Sequence, residues 1–224
     1  MKRLIRNNYP VVLIYLLLLS VTAFFLTNYG KVQIHLYLNQ LVGNPIVDSL
    51  FYYITFLGDG AMALVLLLII LFYNVRLGIC TSLSFISAAL TTNFIKYFLY
   101  DDAMRPYHVF KWFVKEQLRL VDVNDVHIHN SFPSGHSTQA FAIFICLSLF
   151  ARNDLNKLLF LAIALLSAFS RVYLSQHWLV DITVGSIIGT AAAFLLFHFV
   201  VDSNKLQSLD APLIKAIQRK KKDQ

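Results

Sequence analysis

The sequence predicts an all-α protein: a six-transmembrane helix bundle with a short interfacial helix in an outer loop. Two observations lead there. Residues of the set AVILMFWYC make up 58% of the chain and charged residues 14%, whereas an ordinary soluble domain carries about 25% charged residues. The apolar residues are also gathered in blocks instead of being interspersed, so lipid is the solvent they match.

Six blocks can be marked. The first, residues 10–27, follows a basic start, and no small-residue cleavage site closes it, so it reads as a retained span. The second covers 57–73 and the third 77–98. The fourth opens at the polar Ser134 and runs to 151, the fifth covers 158–174, and the sixth 178–201. Each approaches the ~20 residues a helix needs to cross the hydrocarbon core, the second and fifth only marginally. Helix is the available choice, because lone strands leave their backbone unsatisfied in lipid. The turns at 74–76 and 152–157 are short, which pairs blocks two and three, and four and five, as antiparallel neighbours. Residues 1–202 then form a single bundle domain, followed by a basic cytoplasmic tail over 203–224.

The net charge of +7 reads as topology, not as nucleic-acid binding. With the N-terminus inside, twelve of the 19 Lys and Arg fall on the inner side, among them Lys2, Arg3, Arg6, Arg76, Arg152 and the run Arg219-Lys220-Lys221-Lys222. Seven fall outside: Lys31, Lys96, Arg105, Lys111, Lys115, Arg119 and Arg171. The positive-inside rule therefore places both termini in the cytoplasm of a plasma (inner) membrane. Cys80 and Cys146 both lie in apolar blocks and give no reason to expect a disulfide.

Ionisable residues at span ends are functional candidates, and three groups of them map to the outer side. Lys96 and Arg105-Pro106 close the third block. Pro133-Ser134-Gly135-His136 opens the fourth. Ser170-Arg171, five residues, His177, three residues and Asp181 bridge the fifth and sixth. Their common logic is anion chemistry. Ser134 is placed to cap a helix whose free N–H groups and positive end hold a phosphate, and Gly135 lets the backbone approach it. Arg105 and Arg171 supply bidentate forks and Lys96 a point charge, a cradle suited to the charge of a transferring phosphoryl group. His177 and Asp181, four apart, share a face if helical. The carboxylate fixes the tautomer and frees the other ring nitrogen for nucleophilic attack. His136 is then available to protonate the leaving oxygen.

These three groups resemble the signature of the type 2 phosphatidic acid phosphatase superfamily: Lys-x6-Arg-Pro, Pro-Ser-Gly-His and Ser-Arg-x5-His-x3-Asp. The second and third motifs match at every specified position. In the first, eight residues separate Lys96 from Arg105 instead of six, with the extra length expected in the turn at 100–104. The resemblance spans about residues 54–200. It implies a metal-independent membrane lipid phosphatase with no cofactor. The substrates implied are undecaprenyl diphosphate, phosphatidylglycerol phosphate, phosphatidic acid or a phosphorylated glycolipid, and the sequence does not choose among them. A lipid phosphotransferase sharing the same intermediate is the near alternative. An anion or lipid transporter is the remote one, since neither repeated halves nor broken helices are evident.

Two further features lie in the outer loop. His127 and His129 form a His-x-His pair, too few for a zinc site once His136 and His177 are assigned, and are read as loop or entrance residues. Residues 110–121, if helical, gather Phe110, Phe113, Val114, Leu118, Leu120 and Val121 on one face. Lys111, Lys115 and Arg119 then recur every fourth residue on another, with Trp112 nearby. That pattern suits a helix in the membrane interface, either recruiting anionic headgroups or packed on the bundle as a lid.

Overall fold

A computed structural model describes residues 1–121, 128–201 and 209–213. The described residues are helical, with connecting turns. A short helix α1 (Lys2–Asn7) leads into α2 (Tyr9–Asn28), followed by α3 (Lys31–Asn39) and α4 (Pro45–Ile54). After a tight 3-10 turn over Thr55–Gly58 come α5 (Gly60–Tyr73) and α6 (Val75–Phe94), which ends in a wide π turn, Ile95–Leu99. Helices α7 (Pro106–Phe113), α8 (Gly135–Phe150), α9 (Asp154–Tyr173) and α10 (Leu179–Val201) complete the fold.

Four stretches are long and apolar enough to cross a membrane: Tyr9–Asn28, Val75–Leu99, Asp154–Tyr173 and Leu179–Val200. They correspond to the expected first, third, fifth and sixth spans. The expected second span is part of a broken pair, Pro45–Gly58 and Gly60–Tyr73, bent by 63°. The Gly58-Asp59-Gly60 sequence explains the break: the Asp59 side chain caps α5 by accepting from Ala61 N (2.9 Å) and Met62 N (3.4 Å). The expected fourth span is present as α8 with the anticipated limits, capped by Ser134 and ending before Ala151, but it has only 16 residues. By length and composition the described chain thus offers four crossings, or five if the bent pair counts as one.

Helix α8 is the centre of the bundle. Most of its residues are buried, including Phe141, Ile143, Ile145 and Cys146, and the core continues into Leu161, Ala164 and Ala168 of α9 and Ala193 of α10. Helix α2, by contrast, buries only Val11 and Tyr15, and it is tied to α10 by a bond between the Tyr15 and Ser186 hydroxyls (2.9 Å). Cys80 and Cys146 are free thiols with their sulfurs 3.5 Å apart. At the α5–α6 turn Val75 N donates to Ala211 O, and Asn74 and Arg76 reach Asp210, so the 209–213 segment folds back on that turn. The basic run at 219–222 lies outside the described residues.

Two glycines one turn apart let α10 press against the start of α8. A Cβ at Gly185 would come within 2.7 Å of Ser134 O, and one at Gly189 would run into Thr138 O and approach Ala142 N at 2.8 Å. Small residues at helix contacts allow such backbone approach in membranes. Gly189→Val is therefore expected to destabilise the bundle by about 1–3 kcal/mol through overpacking. Thermal unfolding of the purified protein in detergent checks this, and an unchanged midpoint would contradict the close α8–α10 crossing.

The connection between α6 and α8 departs from expectation. Helix α7 covers only Pro106–Phe113, and Val114 is already extended. Lys111, Lys115 and Arg119 therefore do not share one helical stripe, and a single interfacial helix over 110–121 is not formed. Asn39 of α3 holds the later segment, donating to Arg119 O (2.9 Å) and accepting from Arg119 N (2.8 Å). The Arg119 guanidinium donates to Gln40 O and Val42 O. A tertiary clamp on the backbone thus overrides the apolar periodicity.

Candidate active site

The site forms where the C-terminal ends of α6 and α9 meet the N-terminal ends of α8 and α10, and it is built around Asp181. This residue stands in the first turn of α10, where a carboxylate is favoured by the helix dipole. Its Oδ2 accepts from Trp178 N (3.0 Å), which caps the helix, and from the Ser131 hydroxyl (2.5 Å). The same oxygen lies 3.3 Å from His177 Nδ1. His177 is not itself on the helix, contrary to the simplest reading of its spacing. It lies in the turn between α9 and α10, where His177 N and Gln176 N both donate to Arg171 O (3.1 and 2.9 Å). Ser175 in that turn adopts the left-handed conformation, φ 55°, and its hydroxyl meets Nε2 of the buried His35 at 3.1 Å.

His177 and Asp181 are each only 2% exposed. Burial, then the positive charges of Arg105, Arg171 and Lys96, and His136, hold the His177 imidazole well below its ordinary pKa. It is thus neutral at pH 7, with one ring nitrogen engaged by Asp181 and the other available.

The cations converge from three elements. Lys96 sits in the π turn that ends α6 and is 9% exposed; the charges acting on its ammonium are Arg105, Asp181 and Arg171. Despite the longer first motif, Lys96 stands within reach of this cluster. Arg105 precedes α7 and donates from Nε to His129 O (2.9 Å) and from an Nη to Gln176 O (3.3 Å) and Gln176 Oε1 (3.1 Å). Arg171, 4% exposed, donates to the Thr55 hydroxyl at 2.8 Å.

Opposite them stands the start of α8. The Ser134 side chain caps it by accepting from Ser137 N (3.3 Å), while Ser134 N donates to Asp181 O (3.1 Å), fixing α8 to α10. A Cβ built on Gly135 meets nothing within 4 Å, so the space before this helix end is open to a ligand. His136, in the first turn, is 28% exposed at its side chain, and its Nε2 lies 4.0 Å from Asp59 Oδ2.

All eight expected site residues thus lie in one region. Sequence reasoning missed Thr55, Asp59, Ser131 and Gln176, which touch the site from loops far away in the chain or carry no motif. The Gly-Asp-Gly break is a usable turn signal, lying at the start of the second apolar block. His127 lies outside the described residues, and the ring of His129 faces His108 at 5.9 Å. Among the described residues no group of three or more His, Cys, Asp or Glu is placed to hold a metal ion.

A neutral, buried imidazole oriented by a carboxylate, in a pocket of fixed positive charge, is equipped to attack an anionic phosphorus centre. In an apolar helical bundle this describes a membrane phosphatase. Residues 77–205 match the PAP2 superfamily, and the chain belongs to that superfamily. Among individual proteins it is similar to undecaprenyl-diphosphatase BcrC of Bacillus subtilis (strain 168), with 30% identity over 158 residues covering 70% of this chain and 76% of the relative. The fold is shared with LpxE of Aquifex aeolicus, at a TM-score of 0.65 and 21% identity over 77% of this chain and 98% of that one. It is shared too with a transmembrane PAP2-type phosphatidylglycerolphosphate phosphatase from Bacillus subtilis, at a TM-score of 0.61 and 23% identity over 90% and 99% of the two chains.

Proposed function

We propose that this protein hydrolyses a phosphomonoester or diphosphate on a lipid headgroup through a phosphohistidine intermediate, without a metal. The observation that carries the reading is the buried His177–Asp181 contact at 3.3 Å inside the Lys96, Arg105 and Arg171 cluster. In the first step a free ring nitrogen of His177 bonds to phosphorus while the bond to the leaving oxygen breaks, and His136 gives that oxygen its proton. In the second step water attacks phosphorus, the phosphorus–nitrogen bond breaks, and His136 takes the proton from water. Lys96, Arg105, Arg171 and the N–H groups at the start of α8 hold the phosphoryl oxygens throughout, supplying the positive charge that a metal supplies elsewhere.

The excess of basic residues on the opposite side supports cytoplasmic termini, an inner-membrane location and a site on the outer face. Six crossings remain the arrangement that fits this topology, with α5 and α8 as its short members. At ~1.5 Å per residue these two reach only about 20–25 Å against a core of ~30 Å. Both begin at the site, so the site would lie below the outer boundary, where a lipid phosphate could meet it from the side. A cysteine introduced at Asn130 should then react with an impermeant maleimide in intact cells, and one introduced at Asn204 should not. The reverse labelling would invert the orientation.

The direct test is release of inorganic phosphate by the purified protein from a panel of lipid phosphates. A polyprenyl diphosphate heads the panel because the 30%-identical relative is an undecaprenyl-diphosphatase. Hydrolysis should persist in EDTA and be blocked by vanadate, a mimic of pentacoordinate phosphorus. Transfer of phosphate to a lipid acceptor, with none released, would favour the phosphotransferase, and activity lost to EDTA and restored by a divalent cation would overturn the metal-free mechanism.

A further inference from the structure

We infer that Asp59 is a positioning residue for the proton donor, holding the His136 imidazole in place and compensating its charge. This rests on the proton-donor reading of His136. Asp59 stands at the corner between the 3-10 turn and α5, and its two carboxylate oxygens have different tasks. Oδ1 accepts from Ala61 N and Met62 N and so fixes the side chain at the helix start. Oδ2 faces His136 Nε2 at 4.0 Å.

The corner is seated on the site. Its Thr55 hydroxyl accepts from Arg171 at 2.8 Å. A Cβ at Gly58 would come within 2.7 Å of His136 O and 2.9 Å of Ser167 Oγ. Only glycine at 58 allows this approach, which brings the next residue, Asp59, to the first turn of α8.

The chemistry requires such a group. His136 acts on His177 together with the cations Lys96, Arg105 and Arg171, so it stands in the same pocket of positive charge, which opposes a protonated imidazole. Asp181 is already engaged by His177, Ser131 and Trp178. Asp59, from a different element, presents a carboxylate to His136 at 4.0 Å, and its charge offsets that of the imidazolium before the proton is passed on.

The test is Asp59→Asn, which preserves the helix cap because asparagine caps as well as aspartate. It should lower kcat on a lipid alkyl phosphate by about 10- to 100-fold, the cost seen when a metal-bound histidine loses its orienting carboxylate. KM, the thermal midpoint and turnover of an activated aryl phosphate, which needs no proton donor, should change little. In a His136→Ala background Asp59→Asn should have almost no further effect, because it acts only through that histidine. Equal losses on both substrates, no loss on the alkyl phosphate, or full additivity with His136→Ala would overturn the assignment. If His136→Ala itself fails to discriminate between the substrates, the proton-donor reading fails and this inference with it. If it discriminates and Asp59→Asn does not, the inference alone fails.

Discussion

His177→Ala is expected to lower turnover of every substrate by at least about 10,000-fold and to leave no phosphoenzyme. The size follows from what the side chain supplies. In the proposed mechanism its free ring nitrogen forms the new bond to phosphorus, and no other described nucleophile has the same support. Asp181 touches it at 3.3 Å in a pocket where both residues are 2% exposed, so the tautomer is fixed and solvent does not compete. Burial first, and then the surrounding cations, keep it neutral, which a nucleophilic imidazole needs. Loss of Nδ1 orientation alone, in Asp181→Asn, should cost less than loss of the ring.

His136→Ala should cost about 100- to 10,000-fold on a lipid alkyl phosphate, the usual worth of a general acid when the leaving group is poor. On an aryl phosphate, whose leaving group departs as an anion, the loss should be far smaller, provided the small substrate enters the site. The two histidines differ in setting as the two roles require. His177 is sealed, while the His136 side chain is 28% exposed and its carboxylate neighbour Asp59 is 41% exposed, an arrangement open to proton exchange with water. Spacing along the chain suggests no carboxylate for His136, yet Asp59 supplies one from a distant turn. The assignment therefore rests on the closer, buried contact of His177. Steady-state kinetics on matched alkyl and aryl phosphates reads the difference, and retention of phosphoenzyme in His177→Ala with its loss in His136→Ala would exchange the roles.

The motif residues were legible because phosphate chemistry constrains residue type and spacing at once. Ser134 and Gly135 read as a helix start, and Ser134 caps α8 as expected. The blocks at 10–27, 77–98, 158–174 and 178–201 correspond to long helices because an uninterrupted apolar run in lipid has few alternatives. What was not legible depends on contacts between distant segments. Asn39 holds Arg119 in an extended segment, so the basic stripe is split although its spacing fits a helix. The second block conceals the Gly58-Asp59-Gly60 corner, since two glycines barely lower an apolar average while the capping aspartate between them bends the path by 63°. Thr55, Ser131 and Gln176 carry no motif. They matter through bonds to Arg171, Asp181 and Arg105, partners that only the folded chain selects.

The central claim is that phosphate passes through His177, and trapping that intermediate tests it most directly. The purified protein is mixed with a lipid phosphate labelled in its phosphoryl group, quenched within milliseconds at alkaline pH, digested, and mapped by mass spectrometry. The mechanism predicts an acid-labile, base-stable phosphoryl group on His177, present in the wild type and absent from His177→Ala. Label on Ser134, Asp181 or His136, or full turnover with no covalent phosphoenzyme at any time, would contradict it.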